Sequence, residues 1–82
     1  MVYKLYSIKD EYVGFGIPFA MENDMVAIRT FKQAFDAEGS IYKSAAKDYS
    51  IYCVGSFDNK NGSVVPMDPV RVVEASEFLR GE

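Results

Sequence analysis

The sequence predicts a small domain of the α+β or α/β class, in which a mixed sheet of three to four strands carries one main helix on one face. Three observations predict this β-α-β-β order. Residues 2–9 and 49–57 are rich in β-branched and aromatic residues, which favour strands. Residues 24–37 repeat apolar side chains at helical spacing. Residues 58–62 favour a tight turn, which predicts a hairpin.

The length and composition predict one folded domain over residues 1–82. The chain has 82 residues, of which 49% are hydrophobic and 15% are aromatic, and this is enough apolar material for a core. A domain of this size buries only about 60% of the surface that its unfolded chain exposes. We therefore expect self-association, most simply as a two-fold dimer, to supply further stability.

The amino-terminal part of the chain predicts a strand followed by a loop. Residues 2–9 contain the strand-favouring residues Val, Tyr, Leu and Ile and no Gly or Pro. Both faces of this strand carry apolar residues. Residues 11–19 contain Gly14, Gly16 and Pro18, which predict a connecting loop.

The middle of the chain predicts one amphipathic helix that ends near Ala37. Asn23 is a favourable N-cap because its side-chain oxygen can accept from the backbone amides of the first turn. Asp24 places a negative charge at the positive end of the helix dipole, and Gly39 is a natural stop. We expect the apolar stripe of this helix to face the sheet. The stripe consists of Ala27, Ile28, Phe31, Ala34 and Phe35.

The carboxyl-terminal part predicts a second strand at residues 49–57 and a third strand at residues 63–65. Pro66 and Pro69 are expected to end the third strand, because proline cannot donate to a ladder. Residues 70–82 are expected to add a short edge strand and a helical turn. The first strand, the helix and the second strand would form a crossover, which is right-handed if the two strands are parallel neighbours.

Composition also excludes several classes of protein. Cys53 is the only cysteine and there is no histidine, so an internal disulfide, a zinc site and a cysteine–histidine nucleophile are not expected. We expect the protein to bind no cofactor and to have no enzymatic activity. No apolar run approaches the roughly 20 residues of a membrane span, and no signal peptide is recognised, so we expect a cytoplasmic protein. The formal net charge of −3 argues against tight binding to a phosphate backbone.

Strand tyrosines and a few cations are the candidate binding residues. Tyrosines on a sheet face can stack on unpaired bases, although such residues commonly pack across strands. Cations on the first strand and the helix could neutralise phosphates, although they commonly form a solvated surface, and Lys32 lies at helix spacing from Asp36. The tyrosines are Tyr3, Tyr6, Tyr49 and Tyr52, of which Tyr6 and Tyr52 are the principal candidates, and the cations are Lys4, Lys9, Arg29 and Lys32.

Several short segments occur in a characteristic order from Leu5 to about Pro69. They are Leu5-Tyr6-Ser7-Ile8-Lys9-Asp10, Pro18-Phe19, Asn23-Asp24 leading to Ala27-Ile28-Arg29-Thr30-Phe31, Tyr49-Ser50-Ile51-Tyr52, and Gly55-Ser56-Phe57-Asp58 before Asn61-Gly62. In order and spacing they resemble the small nonstructural protein of microviruses, the tailless phages with single-stranded circular DNA. The resemblance implies a non-capsid protein of the infected bacterial cytoplasm. It also implies DNA binding, or help in changing from duplex replication to single-strand synthesis and packaging.

Three functions remain open from the sequence. The first is a non-catalytic phage protein that binds single-stranded DNA weakly. The second is a protein-interaction module that binds a viral or host protein through an exposed sheet face, which the acidic net charge favours. The third is a small enzyme, which no motif supports.

Overall fold

The computed structural model describes residues 1–80 and contains a five-stranded antiparallel sheet. Residues 81–82 of the predicted carboxyl-terminal segment lie outside the described residues. The strands are β1 (Val2–Asp10), β2 (Gly14–Phe15), β3 (Phe19–Met21), β4 (Tyr49–Asp58) and β5 (Ser63–Glu74). The helices are α1 (Asp24–Asp36), α2 (Ile41–Ser44) and α3 (Glu77–Arg80), and a 3₁₀ turn covers Ala46–Asp48. None of the helices in this part of the chain is long and apolar enough to cross a membrane.

The small α/β fold with one main helix is confirmed, but the predicted mixed sheet and crossover are wrong, and the predicted β-α-β-β order lacks two strands. The strands lie in the order β2-β1-β4-β5, and β3 also pairs with β1. Every pair is antiparallel, so the sheet is not mixed. The chain leaves α1 through α2 and the 3₁₀ turn and enters β4 beside the end of β1, where Tyr49 pairs with Asp10. Because β2 and β3 have already led the chain back along β1 to the start of α1, β1 and β4 are antiparallel neighbours.

The predicted loop at residues 11–19 contributes two short strands to the sheet. Gly14 has a φ of 111°, which turns the chain back along β1. The amide of Gly16 then donates to the carbonyl of Ile8 at 2.9 Å. A β-α-β-β order therefore misses β2 and β3, because their pairing depends on the neighbouring β1 rather than on local propensity.

The prediction that Pro66 and Pro69 end the third strand is also wrong. β5 continues through both prolines to Glu74. Within the described residues, β5 is the last strand in the sheet order and pairs with β4 alone, and edge strands and bulges are where prolines are tolerated. The register also shifts between Cys53 and Gly55, so the ladder is interrupted beside the prolines. The expected edge strand at residues 70–73 is part of this longer strand.

The main hydrophobic core lies between α1 and one face of the sheet. The Asn23 side chain caps α1 by accepting from the amide of Val26 at 3.0 Å. Phe78 of α3 lies over the core side of α1, with ring centroids 5.7 Å from Phe31 and 5.2 Å from Phe35. The buried apolar residues are Tyr6, Ala27, Phe31, Phe35, Ala46, Ile51, Cys53, Val73, Ala75 and Phe78.

The strand pairing defines two faces, which we call the helix face and the open face. Directly paired residues of antiparallel strands place their side chains on the same face. The buried strand residues Tyr6, Ile51 and Val73 define the helix face. The alternating positions form the open face, to which no buried apolar residue of the described strands points. By register, the open face carries Tyr3, Leu5, Ser7, Lys9, Phe15, Ser50, Tyr52, Phe57, Val64, Arg71 and Glu74.

Candidate nucleic-acid interface

A cation and two aromatic rings meet on the open face. Lys9 of β1 is paired with Phe15 of β2, and its Nζ lies 5.4 Å from the centroid of the Phe15 ring. The same Nζ lies 5.7 Å from the centroid of Tyr52 in β4. The two rings meet edge to face, with centroids 5.2 Å apart and an interplanar angle of 79°. We call Lys9, Phe15 and Tyr52 the open-face cluster.

The turn after β1 holds Phe15 over the sheet. The hydroxyl of Ser7, a buried residue of β1, donates to the carbonyl of Gly16 at 2.8 Å. This bond adds to the backbone bond between Gly16 and Ile8. Phe15 is nevertheless 47% exposed, and Tyr52 is half-buried. The cluster therefore presents aromatic surface to solvent, next to an ammonium group that can approach a phosphate.

Tyr6 is not part of this cluster, because it is fully buried on the helix face. Its hydroxyl donates to Oδ1 of Asp24 at 2.6 Å, which joins β1 to the first turn of α1. Burial, followed by the hydrogen bond to Asp24, raises the pKa of Tyr6 above its ordinary value. A ring in this position cannot stack on a base, so the prediction of Tyr6 as a stacking residue is not supported by its position.

Tyr3 and Tyr49 lie on opposite faces of the sheet. Tyr3 is paired with Phe57 and lies on the open face. Tyr49 packs edge to face against Tyr42, with centroids 5.1 Å apart, and its hydroxyl donates to Oδ2 of Asp10 at 3.2 Å. Desolvation, followed by this hydrogen bond, raises the pKa of Tyr49. Tyr49 is therefore used in packing on the helix side.

The cations predicted to bind phosphate are divided between the two sides of the sheet. Lys4 lies on the helix side, with Nζ 3.4 Å from Oδ1 of Asp24. The hydrogen bond from Tyr6, followed by the charge of Lys4, lowers the pKa of Asp24. Arg29 is exposed on α1, which packs against the helix face. Lys9 is therefore the predicted cation that the structure places beside Tyr52.

Lys32 of α1 also lies on the helix side and is engaged within the protein. Its Nζ lies 2.7 Å from Oδ2 of Asp36, one helical turn away. The same ammonium lies 5.9 Å from the centroid of the Phe78 ring. This geometry matches the ion-pair alternative that the spacing of Lys32 and Asp36 predicts.

The sequence-based set lacks two residues that lie next to Lys9 or Tyr52 on the open face, namely Phe15 and Arg71. Phe15 lies in the segment that glycines and proline mark as a loop, and the alternation of Val13, Phe15 and Ile17 was its one signal. Arg71 lies beyond the two prolines and is directly paired with Tyr52. Its position could not be inferred without the course of β5.

A groove of about 430 Å³ lies between α1 and β5. Its lining includes Lys4, Ile28 and Cys53, and Arg71 of β5 also borders it. Cys53 is buried, and its Sγ lies 3.8 Å from Sδ of Met67. The described residues contain no group of three or more acidic, cysteine or histidine side chains arranged to hold a metal ion.

The fold and the site define a small α+β protein with an aromatic and cationic cluster on the uncovered face of an antiparallel sheet. The sequence model of the Phage ORF5 protein family matches residues 3–78. The chain belongs to this family. The expectation of a small phage protein is thereby confirmed, while the narrower assignment to microviruses stays a prediction. Neither the curated proteins nor the solved structures gave a match.

Proposed function

We propose that this phage protein is a non-catalytic, weak binder of single-stranded DNA in the host cytoplasm. It would act in viral DNA replication or in the switch to single-strand synthesis and packaging. Bases stack on Phe15 and Tyr52, and a phosphate lies near Lys9. The observation that carries the proposal is the placement of one ammonium beside two solvent-accessible rings on the open face.

The size of the cluster is consistent with weak binding. Stacking on aromatic side chains is worth about 1–3 kcal/mol per base, so two stacked bases provide roughly 2–6 kcal/mol. A dissociation constant of about 1 mM corresponds to about 4 kcal/mol. With a net charge of −3, the protein has little further attraction for phosphates. We therefore expect a single site to bind with a dissociation constant between about 30 mM and about 40 μM, with a shallow dependence on salt.

Titration of a labelled oligothymidine at several salt concentrations, followed by fluorescence anisotropy, tests the proposal. Tyr52→Leu should lower the affinity but leave the slope of log affinity against log salt nearly unchanged. Lys9→Gln should lower the affinity and reduce that slope by about one counterion. Tyr12→Leu is a matched control, because Tyr12 is an 84% exposed tyrosine outside the open-face cluster.

Two results would refute the proposal. If the parent protein shows no interaction with oligothymidine at low salt, the open face does not bind single-stranded DNA. Equal losses of affinity in Tyr52→Leu and Tyr12→Leu would also contradict a specific role of the cluster. Circular dichroism of each variant shows whether its fold is retained.

A second candidate function is protein interaction, most simply with a second copy of the chain. At the end of the open face away from Lys9, Tyr3 is paired with Phe57, and Phe57 is paired with Val64. The next row on the open face runs through Leu5 and Gly55 to Pro66 and is also uncharged. An uncharged surface offers no ion pair to phosphates, whereas two identical copies can cover it by two-fold pairing.

Sedimentation across the micromolar range tests this second candidate. Val64→Lys should shift the protein toward monomer by placing a charge on the open face. Val65→Lys is a closely matched control, because Val64 and Val65 are 58% and 56% exposed but point to opposite faces. A parent protein that sediments as a monomer throughout would contradict the candidate.

A further inference from the structure

A β-bulge near the end of β5 places two charged residues on the open face. Ile51 is paired with Val73, whereas Tyr52 is paired with Arg71, so Val72 is an extra residue in β5. Val72 and Val73 both pack against the core. The bulge therefore directs Arg71 and Glu74 to the same side, although they are three positions apart. Nη1 of Arg71 lies 3.4 Å from Oε1 of Glu74.

Arg71 is consequently a direct neighbour of the open-face cluster. Directly opposite residues of antiparallel strands have Cβ atoms about 4.5–5.5 Å apart, and Arg71 stands in this relation to Tyr52. Lys9 approaches the same tyrosine from β1. The strands on both sides of β4 therefore each carry a cation at a position neighbouring Tyr52, which is an arrangement suited to a nucleotide whose base stacks on that ring.

We infer that Arg71 binds a backbone phosphate of single-stranded DNA by exchanging its ion pair with Glu74 for that phosphate. This inference rests on the proposed function. It adds Arg71 to the binding residues, and it adds competition between Glu74 and a phosphate for that arginine. The guanidinium of Arg71 presents a planar set of donors that matches phosphate oxygens. The neighbouring Glu74 carboxylate competes with DNA for this cation.

Breaking the ion pair between Arg71 and Glu74 costs little free energy. The Arg71 side chain is 54% exposed, and exposed ion pairs contribute little to stability. The Glu74 carboxylate keeps another partner when Arg71 leaves, because the Ser76 hydroxyl donates to its Oε2. The backbone amide of Glu74 donates to Oε2 of Glu77 at 3.0 Å, so α3 also anchors this end of β5.

Oligothymidine titration at several salt concentrations tests the exchange with three variants. Arg71→Ala should weaken binding by on the order of threefold to tenfold at low salt and reduce the salt slope by about one counterion. Arg71→Lys should keep the slope but bind more weakly than the parent, because it retains the charge and loses the planar donor set. Glu74→Gln should bind more tightly than the parent, because the competing charge is gone. Arg29→Ala is the control, since it removes an exposed arginine from the helix side.

The outcomes separate this inference from the proposed function. If Arg71→Ala binds like the parent while Tyr52→Leu binds more weakly, the inference fails and the stacking site stands. Equal effects of Arg71→Ala and Arg29→Ala would likewise overturn the inference, because they would indicate a general effect of net charge. If the parent does not bind oligothymidine at low salt, both proposals fail.

Discussion

Replacing Tyr6 with Phe removes one hydroxyl from the hydrogen bond that joins β1 to α1. The Tyr6 ring is fully buried, so Phe fills the same space and leaves no large cavity. The lost bond runs from the hydroxyl to Oδ1 of Asp24 over 2.6 Å. A hydrogen bond to a charged group is worth about 1.5–3 kcal/mol. Because the Asp24 side chain is 47% exposed and screened by water, we expect a loss of about 1.5 kcal/mol.

Urea unfolding at pH 7 measures this loss directly, and thermal melting gives a second estimate. In a domain of this size, 1 kcal/mol corresponds to about 4–8 °C, so the melting temperature of Tyr6→Phe should fall by roughly 6–12 °C. Tyr12→Phe is the control, because it removes the hydroxyl of an exposed tyrosine. A double-mutant cycle with Asp24→Asn isolates the energy of the Tyr6–Asp24 pair.

The hydrogen bond between Tyr6 and Asp24 also predicts that the folding stability depends on pH. In acid, the titration of Asp24 sets the direction of this dependence. The pKa of Asp24 is lowered from its ordinary value of 3.8, first by the Tyr6 hydroxyl and then by Lys4. A carboxylate with a lowered pKa contributes stability that is fully present above its ordinary pKa and is lost as the pH falls through the lowered pKa. The stability difference between the parent and Tyr6→Phe should therefore narrow in acid.

At alkaline pH, the titration of Tyr6 sets the direction in which the folding stability changes. Its pKa is raised above 10.0, so the parent keeps this contribution below pH 10.0 and loses it as the pH rises toward the raised pKa. The Tyr6→Phe variant should not show this loss of folding stability at alkaline pH. Equal stability of the parent and Tyr6→Phe at pH 7, or a difference that does not change in acid, would refute the reasoning.

Two further predictions concern the packing of the domain. Phe31→Ala should cost about 3–5 kcal/mol, because Phe31 is 2% exposed and packs edge to face on Tyr42 and Phe78. Thermal melting measures this, and an unchanged melting temperature would remove Phe31 from the core. Gly55→Ala should destabilise by about 1–3 kcal/mol, because its Cβ would lie 2.5 Å from the carbonyl oxygen of Val65 and would push β5 away from β4. Urea unfolding measures this second loss, and a midpoint equal to that of the parent would show that the two strands separate without cost.

Much of the local structure could be predicted because its signals lie within a few residues. The N-cap side chain of Asn23 and the apolar stripe through Phe31 are sufficient to indicate α1. The β-rich segment at residues 2–9 likewise indicates β1 without reference to the rest of the chain. These features determined the fold class and the presence of a helix on a sheet.

The direction of strand pairing was not available from the same signals. A strand, a helix and a second strand fit either a parallel crossover or an antiparallel return. Here β2 and β3 lead the chain back along β1 before α1 begins beside Tyr6, so the chain enters β4 at the far end of β1 and runs antiparallel to it. The course of β5 through Pro66 depends on its position at the edge of the sheet. The antiparallel pairing of β1 with β4 and the course of β5 both depend on which strand is the neighbour in the assembled sheet.

The candidate site shows the same division between sequence and tertiary structure. The residue types alone define the available chemistry: tyrosines in strands, few cations, no histidine and an acidic net charge. They do not reveal that Tyr6 is buried and Tyr52 accessible, because both strands carry apolar residues on both faces. The packing of α1 makes this distinction, since α1 covers one face and leaves the tyrosines of the other face at the surface. The bulge beside Tyr52 then brought Arg71 to that surface, through a register shift that depends on two strands at once.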